Sequence, residues 1–324
     1  MDKSAQIIAT NANTKDTDLT KTDFNYSRFM IVRGDISVVD KCFKFEDRDI
    51  PVTGGFILGH PSKGILGTST LGTGSGFSSW NTVEEQTGSQ TFCDDGKSEI
   101  LAWLVNDVSN HPEIIQLGSG SVAYDPSQTS LSAARTGTHT VSASGGNKLV
   151  TFSYHYNSVQ NTSGVIREAG VSSSTAFFGR RVLSSDYTAS VNKEERLTWV
   201  FELTNTIPVM DACPNEIVSW LVDGSGVAPT HVAWGTSSDS ITSSTYSSMI
   251  AENVRLTVSS RELRANTVWF YSTMPKTTGD GITFRTSALF NASTSGDMFL
   301  YDDNPPIEKN DRFQISNQMG IRLL

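Results

Sequence analysis

Carboxylate side chains lie close together at four places in the sequence, and paired acids are the groups that a glycosidase uses. The pairs are Asp94 and Asp95, Glu194 and Glu195, Asp211 and Glu216, and Asp302 and Asp303. Glycoside hydrolysis needs two carboxyl groups that flank one bond. Adjacent residues of a β-strand point to opposite faces, so neighbouring acids give little support for such a site. We therefore predict no catalytic carboxylate pair here.

The histidines, glycine-rich segments, serines and cysteines also lack the spacing found in known catalytic, nucleotide-binding or metal-binding motifs. The histidines are scattered, at His60, His111, His139, His155 and His231. The glycine-rich segment 72–76, GTGSG, matches neither the dinucleotide nor the phosphate-loop pattern. No Gly-x-Ser-x-Gly elbow is present. The cysteines are odd in number and far apart, which favours buried thiols over disulfides or zinc ligands: Cys42, Cys93 and Cys213. We predict no catalytic residues, no cofactor-binding residues and no metal site.

Composition narrows the class of protein further. Only 18% of the 324 residues are charged and 37% are hydrophobic, with Ser, Thr, Asn and Gly abundant, which excludes a coiled coil or helical bundle. The 16 Phe, 6 Trp and 8 Tyr are enough to build cores. The net charge is −9 and no basic cluster occurs, so no nucleic acid partner is expected. No apolar run approaches the ~18 residues of a membrane helix, so no membrane partner is expected.

The sequence repeats itself with a long period. Residues 99–105 read EILAWLV and residues 216–222 read EIVSWLV, 117 residues later. The same offset relates Gly118 to Gly235 and Gly164 to Gly281. Near the end of each copy, VNKEERL from residue 191 corresponds to IEKNDRF from residue 307, and in both an apolar residue precedes a predicted charged turn, which holds Glu194 and Glu195 in the first copy. These matches in order predict an internal duplication, with units at residues 97–207 and 214–324.

Within each unit most segments show the alternation of apolar and polar residues that is typical of β-strands. LVTFSYHY from residue 149 and NTVWFYSTM from residue 266 are rich in β-branched and aromatic residues and are bounded by Ser/Gly turns. The EILAWLV run fits a helix or a buried strand equally well. The pattern predicts an all-β protein with two tandem antiparallel β-sandwich domains.

The first 96 residues have no second copy. Residues 1–25 are polar and predict a flexible or partner-ordered arm. Residues 26–96 form a strand- and loop-rich N-terminal region with too few apolar residues for its own core. We expect this region to pack on the first unit or on a neighbouring chain.

A charged dipeptide follows the turn glycine of the first unit. Arg167 and Glu168 stand there, and Arg285 and Thr286 take the comparable positions in the second unit. An ion pair or turn contact that orients two strands explains these residues best. A contact across a subunit interface is the alternative.

Each unit resembles a domain of tailed-bacteriophage virion proteins. The resemblance covers residues 97–324 and rests on the strand-ending glycines Gly118 and Gly235, the Ser/Thr-rich loops after them, the segment FFGRRVL from residue 177 and the final Lys-containing turn. It also includes the phrase EAGV at residues 168–171, where such proteins typically carry Glu-Ala-Gly-Leu-Phe. The second unit reads TSALF at residues 286–290, which keeps the apolar end and loses the acid.

The resemblance implies a non-enzymatic structural role in the virion, at the neck, collar, tail or a fibre base. The implied partners are further copies of the chain in a cyclic homo-oligomer and other virion proteins such as connector, tail or fibre, after synthesis in the host cytoplasm. A capsid decoration or head-fibre protein is the nearest alternative. A carbohydrate-binding or depolymerising module is the alternative from another class, with Trp80, Trp103, Trp220 and Trp234 as its sugar-stacking candidates. The equivalence of Trp103 and Trp220 in apolar runs favours core packing instead.

Overall fold

The structure, a computed structural model, describes residues 26–49, 79–88, 90–105, 109–135, 139–156, 164–190 and 193–324, with side chains from residue 31 onward. The predicted arm at residues 1–25, the glycine-rich segment 72–76 and His60 lie outside the described residues.

The described chain is built mainly from β-strands, in agreement with the all-β prediction. Its first half contains β1 (Tyr26–Asp49), β2 (Asn81–Gln86), α1 (Asp94–Val105), β3 (Ile114–Gly118), β4 (His139–Thr140), β5 (Ser142–Gly146), β6 (Leu149–Tyr156), β7 (Gly164–Ser172), β8 (Phe177–Ala189) and β9 (Lys193–Asn205). Its second half contains α2 (Ala212–Asp223), β10 (His231–Gly235), β11 (Glu252–Thr257), β12 (Ser260–Arg264), β13 (Thr267–Met274), β14 (Thr283–Phe290), β15 (Met298–Glu308) and β16 (Phe313–Leu323).

The two EI-x-x-WLV runs are helical, which decides between the two possibilities that the sequence left open. In α1, Ile100, Trp103 and Leu104 are buried at helical spacing. The helix α2 ends at Gly224, whose φ of 77° is readily available only to glycine and whose N–H donates to the carbonyl of Trp220. Both helices therefore present one apolar face to the strands.

Strand β1 joins the two halves into one sheet. It pairs antiparallel with β9 from residue 36 onward and parallel with β16 up to residue 36. The resulting eight-stranded sheet has the order β12-β13-β16-β1-β9-β6-β5, with β2 also on β1. Residues of β9 alternate between buried and partly exposed along its length, so one face of the large sheet covers the core.

Two four-stranded sheets and the helices form the second layer of the sandwich. One sheet has the order β4-β3-β7-β8 and the other has the order β11-β10-β14-β15. The helix and seven strands of each half follow the same order and the same pairing scheme. Each helix also packs against the large-sheet strands of the other half, since α2 lies against β5 and α1 lies against β12 and β13.

The hydrophobic core is continuous through both halves, whereas the sequence suggested two separate sandwiches. One cluster contains Phe152 and Trp199 from the first half together with Phe270 and Met319 from the second. The two helices meet at its centre, where the rings of Trp103 and Trp220 stack with centroids 5.9 Å apart. Sequence periodicity reports which residues are buried but not which half they are buried against.

The N-terminal region contains one long strand where short strands were expected. Because β1 runs on to Asp49, β9 extends back to Lys193 to pair with it. Glu194 and Glu195, placed in a turn by the sequence comparison, therefore lie on a strand. The region packs on both halves, and not only on the first one.

Candidate functional site

Acids from three of the pairs found in the sequence have structural surroundings in the described chain. Asp94 and Asp95 lie in the first turn of α1, where carboxylates stabilise the helix dipole. Asp211 pairs with Lys148 at 2.7 Å. Successive residues of β9 point to opposite faces, so the Glu194 carboxylate meets Arg48 on one face while Glu195 is buried on the other.

A different pair of carboxylates comes together across strands. Asp47 and Glu195 are direct partners in the β1–β9 ladder and are only 4% and 1% exposed. The Tyr187 hydroxyl donates to Asp47 at 3.1 Å, and the Lys193 ammonium lies 2.5 Å from the same oxygen. Sequence reasoning missed this pair because its members are 148 positions apart. The Lys193 ammonium and the Tyr187 hydroxyl both bind the same oxygen of Asp47. The group is therefore an ion-pair network built around a buried carboxylate.

The deepest ion pair belongs to the motif residues of the first unit. Glu168 on β7 and Arg180 on β8 have fully buried side chains joined at 2.6 Å. The Glu168 carboxylate also accepts hydrogen bonds from the backbone N–H groups of Gly120, Ser132 and Ala133. Burial alone would raise the pKa of Glu168, but these N–H donors and the Arg180 guanidinium hold it below its usual range. The pair ties the Ser-rich loop to the β7–β8 hairpin.

The dipeptide of the first unit thus forms ion pairs within the chain, as the sequence predicted. Arg167 meets Asp186 on the surface, next to the buried pair of Glu168. In the second half Thr286 lies at the corresponding point of β14, where its cross-strand partner is Asp303. A Cβ on Gly118 would lie 2.5 Å from Glu168, and one on Gly235 would lie 2.6 Å from Thr286. Both units therefore need glycine at this position, because any larger residue would collide with Glu168 in the first unit or with Thr286 in the second.

The two helices carry an equivalent glutamate, Glu99 on α1 and Glu216 on α2, whose surroundings differ. The Glu216 side chain on α2 accepts from the Val227 N–H at 2.7 Å, as Glu99 on α1 does from the Asn110 N–H at 2.8 Å. Among the described residues, a further carboxyl group, that of Asp297, lies against Glu216. Burial and this like-charged neighbour raise the pKa of Glu216.

Glu216→Gln is expected to raise the thermal midpoint at pH 7 and to leave it unchanged near pH 4. A carboxyl group with a raised pKa stabilises the fold when protonated, and this contribution is lost as the pH rises through that pKa. The amide keeps the Val227 hydrogen bond and removes the like charge. Melting curves between pH 4 and 8 measure the effect. Glu99→Gln is the matched control and should not show this pH-dependent gain; an equal gain in both variants would contradict the assignment.

The outer face of the large sheet, which is the face turned away from the core, carries two aromatic clusters. At one end, the Trp80 ring lies between the guanidinium groups of Arg48 and Arg196, 4.5 and 4.6 Å from its centroid. Those arginines are paired with Glu194 and Glu46. Trp80 is therefore part of a surface ion-pair network and is not an open stacking ring.

At the other end, Trp269 and Tyr271 on β13 form an aromatic platform. Trp269 lies over its cross-strand partner Gly320, where a Cβ would come within 2.9 Å of the ring. Tyr271 donates to Glu262, which also binds Arg264. Sequence reasoning read this segment as a strand and did not single out Trp269, because strand alternation does not tell which face meets solvent.

The other tryptophans proposed for sugar stacking belong to the core. Trp103, Trp220 and Trp234 are at most 8% exposed. Cys93 and Cys213 are buried and Cys42 is partly buried, all three as free thiols. Within the part of the chain that the structure describes, no three His, Cys, Asp or Glu side chains are grouped to hold a metal ion. No helix among the described residues is long and apolar enough to cross a membrane.

Comparison with known protein families, curated proteins and solved structures found no match for this chain.

Proposed function

We propose that this chain is a non-enzymatic structural protein of a tailed-phage virion, which builds or decorates the neck, collar, tail or a fibre attachment point by oligomeric assembly. The observation that carries the proposal is the large sheet, in which strands from both halves and β1 form one continuous surface. The outer face of this sheet carries ion pairs and aromatic rings at both of its ends.

The common element order of the two halves supports an origin by duplication of a β-sandwich module. The units at residues 97–207 and 214–324 would then be used as one interlocked building block, preceded by the arm at residues 1–25. The buried acids support an architectural role as well. Glu168 is held by Arg180, and Asp47 is held by Lys193.

Locating the chain in purified particles by electron microscopy tests this proposal. We expect a fixed copy number that follows the symmetry of one virion component, with the chain contacting itself and a connector, tail or fibre protein. A position on the capsid surface would favour the decoration or head-fibre alternative. Absence of the chain from purified particles would overturn the structural role.

A carbohydrate-binding module is the second candidate, and the Trp269 platform is the observation that favours it. A partly exposed aromatic face with adjacent polar groups such as Glu262 and Arg264 suits a sugar ring. We expect Trp269→Ala to abolish any glycan-array signal of the full chain, and Trp80→Ala to leave it unchanged. An array without hits for the unmodified chain removes this candidate.

A further inference from the structure

The N-terminal part of β1 has one edge that no described strand covers. Ile36 pairs with Leu323 of β16 and with Asn205 of β9, so these two strands lie on opposite edges of β1. Strand β16 continues along β1 as far as Tyr26, whereas β9 ends at Asn205. From residue 35 back to residue 26, the edge on the β9 side therefore has no strand partner among the described residues.

The unpaired backbone groups on this edge can be identified. The Ile36 carbonyl accepts from the Leu324 N–H at 2.9 Å, so the backbone groups of Ile36 point to the β16 side. Backbone groups of successive strand residues point alternately to the two edges. The N–H and C=O groups of Ile31 and Arg33 therefore point to the open side, beyond the last pairing of β1 with β9. Among the described strands, none pairs with β1 on that side at these residues.

A long open edge in the middle of a sheet is unusual. Native proteins cover or interrupt sheet edges, because unpaired N–H and C=O groups recruit other strands. The segment after β9 turns beneath the sheet, where Val209 would contact a Cβ on Gly34, and it does not extend the ladder. Ile31 is 44% exposed beside this edge and Ile207 is 43% exposed. The edge thus combines open ladder groups with nearby apolar surface.

We propose that the edge of residues 26–35 pairs antiparallel with the same edge of a second copy, around a two-fold axis at Ile31. This register places residue 33 opposite residue 29 and residue 35 opposite residue 27. Odd residues then meet odd residues, so the outer faces of both large sheets remain on the same side. Arg33 and Asp35 face no like charge in this register, since residues 29 and 27 are Phe and Ser. An isologous contact of this kind is the commonest one in homo-oligomers.

A second copy fits this edge better than the chain's own N-terminus. Residues 10–23 read TNANTKDTDLTKTD, with Asn, Asp and Lys in place of the alternating apolar residues that pair well in strands. The edge itself reads YSRFMIVRGD, which is rich in β-forming residues. This contact rests on the proposed function in one respect, which is that both require the chain to associate with further copies of itself.

Cysteine cross-linking of the full chain tests the contact. In a Cys42→Ser background, Ile31→Cys is expected to form a disulfide-linked dimer on mild oxidation, because the two Cα atoms of a hydrogen-bonded pair lie about 5.5 Å apart. Gln318→Cys is the matched control, because it is the β16 partner of Ile31 on the same face. Its Cα would lie about 15 Å from its symmetry mate, since each added strand contributes about 4.8 Å.

A charge substitution gives an independent measurement. Ile31→Lys places two ammonium groups at the axis, and we expect light scattering to show a loss of dimer with an unchanged circular dichroism spectrum. Gln318→Lys should remain dimeric. Equal cross-linking of both cysteine variants, or a dimer that survives Ile31→Lys, would overturn the contact. A monomer with exchange-protected amides at residues 31 and 33 would also overturn it and would assign the edge to residues 1–25 of the same chain. A chain that cross-links but is absent from particles would contradict only the virion role.

Discussion

Replacing Glu168 with glutamine is expected to lower the free energy of unfolding by about 3–5 kcal/mol, the usual cost of removing one partner from a buried ion pair. The Arg180 guanidinium would remain fully buried without its counter-charge. The amide NH2 of glutamine would also face donors, because both carboxylate oxygens of Glu168 accept hydrogen bonds in the native protein. Chemical denaturation of both proteins at pH 7 measures the difference.

The neighbouring surface pair provides the control for this experiment. Arg167 and Asp186 form a 2.5 Å ion pair on the surface, and surface pairs contribute only about 0–1 kcal/mol. Arg167→Ala should therefore change stability little. A cost of Glu168→Gln no larger than that of Arg167→Ala would show that the buried pair does not stabilise the loop.

The effect of Glu168→Gln should depend on pH in a definite direction. Since the folded state holds the pKa of Glu168 below its usual range, the carboxylate contributes stability above the unfolded pKa of about 4.3. That contribution is lost as the pH falls through the folded-state pKa. The difference between native and variant proteins should therefore narrow in acid, as measured by denaturation between pH 3 and pH 7.

Truncation of Trp220 to alanine is expected to cost about 3–5 kcal/mol, as for other buried large-to-small changes. The ring is 3% exposed and contacts Trp103 of the other helix and Phe178 of β8, with centroid distances of 5.9 and 6.2 Å. The resulting cavity would lie where the two halves meet. Unfolding should therefore remain one cooperative transition that shifts as a whole.

Calorimetry of the full chain distinguishes one folding unit from two. Tyr246→Ala, at a position that is 40% exposed, is the control and should leave the transition nearly unchanged. Two separate transitions, with only one of them moved by Trp220→Ala, would contradict a shared core. For the same reason, we expect residues 97–207 expressed alone not to fold, since they would lose β1 and α2.

The regular elements of the fold follow from local sequence patterns. The alternation of Val268, Phe270 and Met274 with more exposed residues predicts β13, and the structure places these three side chains in the core. Local reasoning placed Glu194 and Glu195 in a charged turn, which is wrong, because β9 extends back to Lys193 and the two acids lie on opposite faces of that strand. The same reasoning could not reveal Asp47 opposite Glu195, because cross-strand proximity depends on register between distant segments.

The sequence by itself determined the β-rich character of this protein, the burial of its repeated tryptophans and the absence of a recognisable catalytic motif. These properties depend on residue type and on spacing within a few positions. Only the tertiary structure decided that EILAWLV is a helix, that Glu168 meets Arg180, and that β1 joins both halves while leaving one edge open. Those features arise from pairing and packing between segments far apart in the chain, whose free energy no local pattern encodes.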